Sequence, residues 1–297
     1  MGTPSTGALS QFAFDTALPF DTASKMIEIT SCTFGKQGTI LDTQGLRGSR
    51  QYHNSRTRLG TYVVSGQLVL PLSPLALDYF LPIILGGTEV ADVFDIAETL
   101  QSCYLMQDLG AKVATWSSVY CNRCSIRGSA GQIVTMTLDL EGSTESIGNS
   151  GTFPALTAPT DSPYVMSDGT MTLQATTREF SEFEIIVDNQ LDTGRFQNSR
   201  TRSAFPSSGA LVSLNTNHPW SSDETDLYDQ AIYGAVGQIL LTNADVASTS
   251  AQFDFGFLQP APQLPQNSGR GEIRLPLQMQ SRKSGSTPSL RVTNIHA

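Results

Sequence analysis

The five-residue sequence NSRTR occurs twice in this chain of 297 residues, at positions 54–58 and 198–202. The tripeptide LDT precedes both copies, at 41–43 and 191–193, and the first copy carries a six-residue insertion between the two words. Two short motifs that recur in the same order indicate that one structural unit is present twice. The repeat constrains the fold strongly, because each half must then form the same set of elements.

The elements that flank the repeated words agree in type and order. In the first half, the strand MIEITSCTF precedes NSRTR; the strand TYVVSGQLVLPL, the helix SPLALDYFLPIILGG and strands to GQIVTMTLDLEG follow it. In the second half, FEIIVDNQ precedes NSRTR; SGALVSLNT, the helix SDETDLYDQAIYGA and strands to GEIRLPLQMQ follow it. A segment rich in Ser, Thr, Gly and Pro, residues 142–163, lies at the midpoint and has linker composition. We therefore expect two domains, residues 1–150 and 151–297.

Local signals support both helices and the last long strand of each half. Ser73 is a favourable N-cap before a proline, and Gly86 marks the end of the first helix. Residues 222–226 give the second helix an acidic start. The segments 134–141 and 273–280 alternate apolar and polar side chains, as a strand with one buried face does. The sequence thus predicts a mainly β fold with two tandem β-sandwich or barrel domains, each with one flanking α-helix.

Charge and hydropathy argue against two classes of function. The formal net charge is −9, and holding nucleic acid by its phosphates requires an excess of Lys and Arg. Nucleic acid could still pass such a surface without being held. No run of about 18 apolar residues occurs, so no transmembrane helix is predicted. The N-terminal sequence lacks the basic and apolar regions of a secretory signal.

No catalytic, cofactor-binding or metal-binding site is predicted. Among the four cysteines, Cys121 and Cys124 have the CxxC spacing of half a zinc site, and no second pair follows. Their segment resembles a strand, which would direct the two side chains to opposite faces, so ordinary reduced thiols are favoured. His53 lies beside the first NSRTR, but Gln197 takes its place in the second copy. A loop histidine is therefore favoured over a catalytic one.

The arginines of NSRTR admit two interpretations. They could form a solvated basic edge at the mouth of a hairpin. Alternatively, Arg56 with Arg58, and Arg200 with Arg202, could bind carboxylates on a neighbouring domain or subunit, because Arg suits bidentate interface pairs. The motif NSRTR recurs although the sequences that flank it differ, which favours the second interpretation. We take these four arginines as candidate inter-domain or inter-subunit contacts.

Two longer sequences carry a family resemblance. FEIIVDNQLDTGRFQNSRTR, followed by a strand and a short helix, and VYCNRCSIRGSAGQIVTMTLDLEGSTES resemble the tail tube (major tail) proteins of long-tailed bacteriophages. The resemblance is to the branch whose chain carries a duplicated tube domain, and it covers the chain from about Pro19 onward. The sequence departs from that pattern at QGLRGSRQYH and QPAPQLPQNSGRG, which we interpret as loops.

The resemblance implies a structural virion protein without enzymatic activity, built from two tandem tail-tube-like domains. In that family, tube domains form sixfold rings, each giving about four strands to an inner β-barrel, and rings stack into the tail. A chain with two domains would close as a trimer with pseudo-sixfold symmetry. The implied partners are further copies of the chain, the tape-measure protein, the tail terminator and the distal tail or baseplate proteins. Double-stranded DNA would pass through without specific binding, and no membrane anchor or cofactor is implied. Assembly would take place in the host cytoplasm, and the tail would be long and non-contractile.

The expected dimensions suit a DNA conduit. With strands ~4.8 Å apart and tilted ~40°, a barrel of about 24 strands is about 48 Å across at the backbone and about 36 Å between side chains. A barrel of about 12 strands would leave roughly 12 Å, no wider than one DNA major groove. Two polar strand faces are candidates for the lumen, although they could equally face outward. Their residues are Thr135, Thr137, Asp139, Glu141, Gln278 and Gln280.

Two other classes of function stay open on the sequence alone. The chain could be a duplicated β-sandwich binding module, such as a receptor- or carbohydrate-binding appendage. It has only two Trp, and no aromatic platform is evident. It could also be a hydrolase that uses His53 or Cys121, although no catalytic motif supports one.

Overall fold

The computed structural model describes residues 7, 10–42, 51, 54–149, 152–221, 225–228, 233–261, 263–267 and 269–296. In these residues the chain forms nineteen β-strands and two α-helices, and the prediction of a mainly β fold is confirmed. The strands of the first half are β1 (Gln11–Asp15), β2 (Lys25–Ile27), β3 (Ser31–Cys32), β4 (Gly35–Asp42), β5 (Thr57–Pro71), β6 (Val93–Asp95), β7 (Cys103–Asp108), β8 (Lys112–Ser129), β9 (Thr135–Gly142) and β10 (Thr144–Asn149). The strands of the second half are β11 (Gly169–Leu173), β12 (Thr176–Arg178), β13 (Glu182–Asp188), β14 (Leu211–Pro219), β15 (Gly237–Thr242), β16 (Ser250–Phe255), β17 (Phe257–Ala261), β18 (Arg274–Arg282) and β19 (Leu290–Ile295). The helices are α1 (Pro74–Leu85) and α2 (Thr225–Tyr228).

Eight strands form one antiparallel run that joins the two halves. Its order is β4-β5-β9-β8-β13-β14-β18-β17. The first four strands come from the first half and the last four from the second half. At the boundary β8 pairs with β13, and Arg123 lies opposite Asp188. Within the described parts of the chain, the outer edges of β4 and β17 have no strand partner.

The two sets of four strands have the same order. β4-β5-β9-β8 corresponds to β13-β14-β18-β17. The second copy of NSRTR lies in the connection between the first two strands of its set, and the first copy begins in that connection and ends in β5. Both second strands end at a proline that pairs with the first residue of the next strand in the sheet. Pro71 lies opposite Thr135, and Pro219 lies opposite Arg274. The proposed division at residue 150 stays a prediction.

The matching strand ends give a residue-by-residue correspondence between the two sets. Val64 and Val212 each lie seven positions before the terminal proline, and both are buried. Glu141 and Gln280 each lie six positions after the start of the adjoining strand. One strand set can therefore be used to interpret the surroundings of the other.

The remaining strands interlock the halves. In the first half, β2, β1, β7, the start of β8 and β10 pair in that order. A separate sheet has the order β12-β11-β15-β16-β19-β6, so β6 of the first half pairs with β19 of the second half. There Arg291 donates two hydrogen bonds of 2.7 Å to the carboxylate of Asp95. The C-terminal strand is thus attached to both halves.

Helix α1 forms where its capping signals predict. The hydroxyl of Ser73 accepts a 3.3 Å hydrogen bond from the Ala76 N–H, and Gly86 ends the helix with a φ of 81°, a conformation that glycine adopts without strain. Helix α2 extends over only four residues. Of the acidic start that the sequence predicts, residues 222–226, residues 222–224 lie outside the described residues. Residues 233–236 are not helical.

One hydrophobic cluster spans both halves, with residues such as Phe80 of α1, Phe183 of β13 and Phe253 of β16 at its centre. Because apolar contacts cross between the halves, they are expected to unfold together. Neither helix found in the described residues has the length and apolar character needed to span a membrane.

Candidate assembly interface

The second copy of NSRTR packs against the first half of the chain. Arg202 is 3% exposed, and its Nη2 lies 2.6 Å from Oε2 of Glu141 on β9. The same nitrogen donates a 3.0 Å hydrogen bond to the carbonyl of Val64 on β5. The guanidinium lies over the ring of Phe205, which packs on Tyr120 of β8. Arg202 therefore links the connection before β14 to two strands of the first half.

Burial dominates the electrostatics of this ion pair. Removal from water raises the pKa of Glu141 above its ordinary value, and the neighbouring Arg202 offsets only part of that effect. A buried pair of this kind is weak evidence for net stabilisation. Removing one partner, however, leaves an uncompensated buried charge, at a cost of about 3–5 kcal/mol. The pair therefore fixes how the two halves fit together.

Arg200 lies at the edge of the same contact. Its Nε donates a 3.0 Å hydrogen bond to the Gly60 carbonyl, and its own carbonyl accepts one of 2.9 Å from the Tyr62 N–H. Both partners belong to β5. The second copy of NSRTR thus contacts the start of the strand that follows the first copy.

Asn189 anchors the beginning of the same connection. Its side chain is 2% exposed and donates hydrogen bonds to the carbonyls of Ile84, at 2.9 Å, and Cys121, at 3.0 Å. Its N–H donates to the carbonyl of Asn122, whose side chain in turn accepts from the N–H of Leu191. Residues 189–210, which we call the second arm, are therefore held on β8 at their start and on β5 and β9 further along.

The first copy of NSRTR has a different environment. Residues Asn54–Arg56 form a 3-10 turn, and Arg58 lies at the start of β5. Both Arg56 and Arg58 are exposed, and neither forms an ion pair with any residue that the structure describes. The structure thus brings Arg200 and Arg202 onto the first half and leaves Arg56 and Arg58 in solvent.

A projecting hairpin carries the first copy. Residues 38–42 of β4 pair with residues 57–62 of β5, and we call this hairpin the first arm. Three of its apolar side chains are largely exposed: Ile40 at 71%, Leu41 at 60% and Leu59 at 67%. Leu41 corresponds to Leu191, since both begin the word LDT, yet Leu191 is only 8% exposed. The same position is therefore exposed on the first arm and buried on the second.

The six lumen candidates share one face of the eight-stranded run. They are Thr135, Thr137, Asp139, Glu141, Gln278 and Gln280. Across the run, Thr137 lies opposite Ser125, Ser125 opposite Ile186, Ile186 opposite Ser213 and Ser213 opposite Gln280. Directly opposed residues lie on the same face of a sheet. The intervening residues of β9 and β18 are buried in the core, so these candidates lie on the outer face, where Arg202 of the second arm covers Glu141.

This polar face carries charges of both signs. Its carboxylates belong to Asp139, Glu141, Glu182, Glu184 and Asp188, and its guanidinium groups to Arg123, Arg127, Arg274 and Arg282. Arg127 lies 3.6 Å from Glu182, and Arg282 donates a 2.7 Å hydrogen bond to Gln280. The charges nearly balance, so the face is polar rather than strongly acidic.

The prediction that Cys121 and Cys124 point to opposite faces is wrong. The pairing of β8 with β9 shifts by one residue between Cys121 and Arg123, so Asn122 is an extra residue in a β-bulge. Cys121 then lies opposite Leu140 and Cys124 opposite Leu138, and both thiols are buried in the core. Burial raises the pKa of both thiols far above the ordinary value, which makes them poor nucleophiles.

The other candidates for chemistry are His53 and the cysteines. His53 lies outside the described residues. All four cysteines are free, and no group of three or more His, Cys, Asp or Glu side chains that could hold a metal occurs in the described residues.

Sequence analysis did not identify Asn189 or Phe205 as contact residues. Phe205 could have been found, because it is the only aromatic residue between the second NSRTR and β14, in a segment that is otherwise small and polar. Asn189 could not, because an asparagine after a strand is equally typical of any turn. Its role depends on the bulge at Asn122, which has no clear signal in the sequence.

Comparison with known proteins agrees with this architecture. The sequence profile of a family described as phage tail tube protein matches residues 1–281, which include both copies of NSRTR and nearly all of the eight-stranded run. A search of curated proteins finds no match. The match extends over far more than half of the chain, and the chain therefore belongs to the phage tail tube protein family.

Proposed function

We propose that three copies of this chain close head to tail into a ring, and that rings stack into the tube of a long, non-contractile phage tail. Double-stranded DNA would travel through the tube during ejection. In each ring, β17 of one copy pairs with β4 of the next copy. The protein acts as a structural component and catalyses no reaction.

One observation carries this proposal: the two outer edges of the eight-stranded run correspond to the two strands that pair at its centre. β17 corresponds to β8, and β4 corresponds to β13, so the pairing of β8 with β13 is a template for a contact between copies. Such a head-to-tail contact repeats until the rotation closes a ring. Ring closure would also cover two edges that would otherwise promote aggregation.

The strand count supports three copies in a ring. Each copy supplies the eight strands of the run, so three copies give a barrel of about 24 strands, about 48 Å across at the backbone. Roughly 36 Å remains between side chains, which admits a DNA duplex. A barrel of about 12 strands would leave only roughly 12 Å, no wider than one DNA major groove.

The polar face of the run suits the lumen, because the opposite face is buried in the core. Nearly balanced charges, with arginines already held by neighbouring side chains, would give phosphates no strong binding site. Three copies at −9 each give a ring of −27, which also disfavours retention of DNA. DNA would therefore slide through without specific binding.

A tube of this kind requires partners at each end and inside it. They would be a tail terminator, distal tail or baseplate proteins and a tape-measure protein that sets the length. Assembly would take place in the host cytoplasm, and the finished tube would belong to the virion.

Electron microscopy of the purified protein in negative stain tests the proposal. We expect rings with threefold symmetry that stack into tubes. A particle that stays monomeric at high protein concentration would contradict it. If such a monomer also bound glycans, the alternative of a duplicated binding module would be favoured.

A further inference from the structure

We propose that the first arm docks on the second half of a neighbouring copy in the same ring, over the ends of β17, β18 and β14. The contact would bury Ile40, Leu41 and Leu59. This inference rests on the proposed function, because it requires copies arranged head to tail. It adds a surface and a partner that strand pairing alone does not specify.

The second arm provides the template for this contact. Within the chain, the second arm covers the middle of β8 and β5 and the end of β9, where it contacts Tyr120, Val64 and Glu141. Leu191, at the start of that arm, is buried. Leu41, its counterpart on the first arm, has no such surface within its own chain, and it is exposed together with its neighbours.

The receiving surface on the second half is open. Val212 and Gln280 correspond to Val64 and Glu141. Gln259 corresponds to Tyr120, because Gln259 lies opposite Gln280 and Tyr120 lies opposite Glu141. Gln280 is exposed, and Leu211, next to Val212, is 39% exposed. In the residues that the structure describes, no arm covers this end of the second half, so a neighbouring copy can supply one.

The contact between copies would differ in chemistry from the contact within the chain. Gln37 of β4 corresponds to Asp188 of β13, because Gln37 lies opposite the residue before Val64 and Asp188 opposite the residue before Val212. The next residue is Gly38 in the first half and Asn189 in the second. The first arm thus lacks the buried amide anchor of the second. Gln280 also replaces the carboxylate of Glu141. With these two polar groups absent, apolar contacts of the first arm carry more of the docking energy than they do in the contact within the chain.

A substitution on the first arm tests the inference. The triple variant Ile40→Ser, Leu41→Ser, Leu59→Ser should melt as the wild type does, because these side chains are exposed in the single chain. The concentration at which rings form should rise about tenfold or more, because three large apolar side chains would no longer be buried. Leu109→Ser is the matched control: this side chain is 45% exposed in the turn between β7 and β8, and its loss should leave assembly unchanged.

A photo-crosslink identifies the partner directly. Benzoylphenylalanine introduced at position 41 should react with residues 211–213, 257–261 or 278–282 of another copy. Because a closed ring gives each copy one donor and one acceptor, crosslinked species should stop at three chains. Longer ladders would place the arm between rings and overturn the inference, as would crosslinks within a single chain.

The outcomes separate this inference from the proposed function. If the wild type forms rings and the triple variant forms them at the same concentration, only the docking inference fails. If the wild type forms no rings at all, the proposed function fails and the docking inference fails with it.

Discussion

The two copies of NSRTR have identical residues and opposite environments. Arg202 is 3% exposed and paired with a carboxylate, whereas Arg58 lies in solvent. The difference comes from what adjoins each copy in the fold: the second copy lies beside the first half of the chain, and the first copy lies beside an open edge. The comparison teaches that this protein contains one complete junction between two strand sets of the same order, and that the outer strands β17 and β4 correspond to the two strands, β8 and β13, of that junction.

The largest effect is expected from a substitution that breaks the contact between the two strand sets. Arg202→Ala leaves Glu141 buried without its partner, and we expect a loss of about 3–5 kcal/mol in the free energy of unfolding. Arg58→Ala is the matched control and should change it by less than about 0.5 kcal/mol, since surface substitutions usually do. Chemical denaturation of both variants measures the difference. Equal losses would contradict the environments described for the two arginines.

The second effect is a pH dependence of stability that arises from a residue of the second half. His218 of β14 is fully buried; its Nδ1 lies 2.8 Å from the Glu179 carbonyl and its Nε2 2.9 Å from the Thr216 hydroxyl. Burial lowers the pKa of His218 from 6.5 to about 4. The unfolded chain therefore binds a proton that the folded chain does not. This group's contribution to stability is fully present above pH 6.5 and is lost as the pH falls toward 4, by about 3 kcal/mol in total.

Denaturation measured between pH 7 and pH 4 tests that prediction. Leu70 occupies the corresponding position of β5, so His218→Leu gives the second half the residue that the first half already has. The variant should lose less stability than the wild type over this range. An unchanged pH dependence would show that His218 does not titrate as its burial requires.

A smaller effect concerns the start of the second arm. Asn189→Ala removes two buried hydrogen bonds and leaves the carbonyls of Ile84 and Cys121 without that donor, so we expect a loss of about 2 kcal/mol. Gln190→Ala, at the exposed neighbouring position, is the control. Thermal melting of the two variants checks the prediction. A larger loss from the Gln190 variant would refute the anchoring role of Asn189.

The smallest effect is expected at the contact between β6 and β19. Arg291 and Asp95 form a bidentate pair, but both side chains are more than 40% exposed, so water screens their attraction. Asp95→Asn should cost less than about 1 kcal/mol, and high salt should reduce the difference further. A loss as large as that of Arg202→Ala would mean that this exposed contact, rather than the buried one, holds the halves together.

The sequence was most informative where the pattern is local. The cap at Ser73, the glycine that ends α1 and the alternation of β9 and β18 all depend on neighbouring residues, and the structure agrees with each of them. The repeat of NSRTR predicted two copies of one domain. The structure shows two sets of four strands in the same order, and the division into two domains stays a prediction.

Long-range features were not predictable in the same way. The bulge at Asn122 turns Cys124 to the same side as Cys121, and it depends on how β8 pairs with β9 rather than on the residues of β8. Likewise, the burial of Arg202 depends on a strand more than 50 residues earlier in the chain. Because the two copies of NSRTR are identical, the sequence could not show which copy would be buried against the rest of the chain.

The register of the contact between copies follows from the contact within the chain. Arg123 lies opposite Asp188 where β8 meets β13. Ala261 of β17 corresponds to Arg123, and Gln37 of β4 corresponds to Asp188. In a closed ring, Gln37 of one copy should therefore lie opposite Ala261 of the next.

Disulfide formation in that register tests the ring most directly. In a Cys32→Ser background, the pair Gln37→Cys and Ala261→Cys should oxidise to covalent species that stop at three chains, because opposed residues on neighbouring strands have Cβ atoms about 5 Å apart. The pair Lys36→Cys and Ala261→Cys is the control, since a shift of one residue places the two thiols on opposite faces. A trimer from the first pair and none from the second is the predicted result. No covalent species from the first pair, or equal yields from both pairs, would contradict the ring.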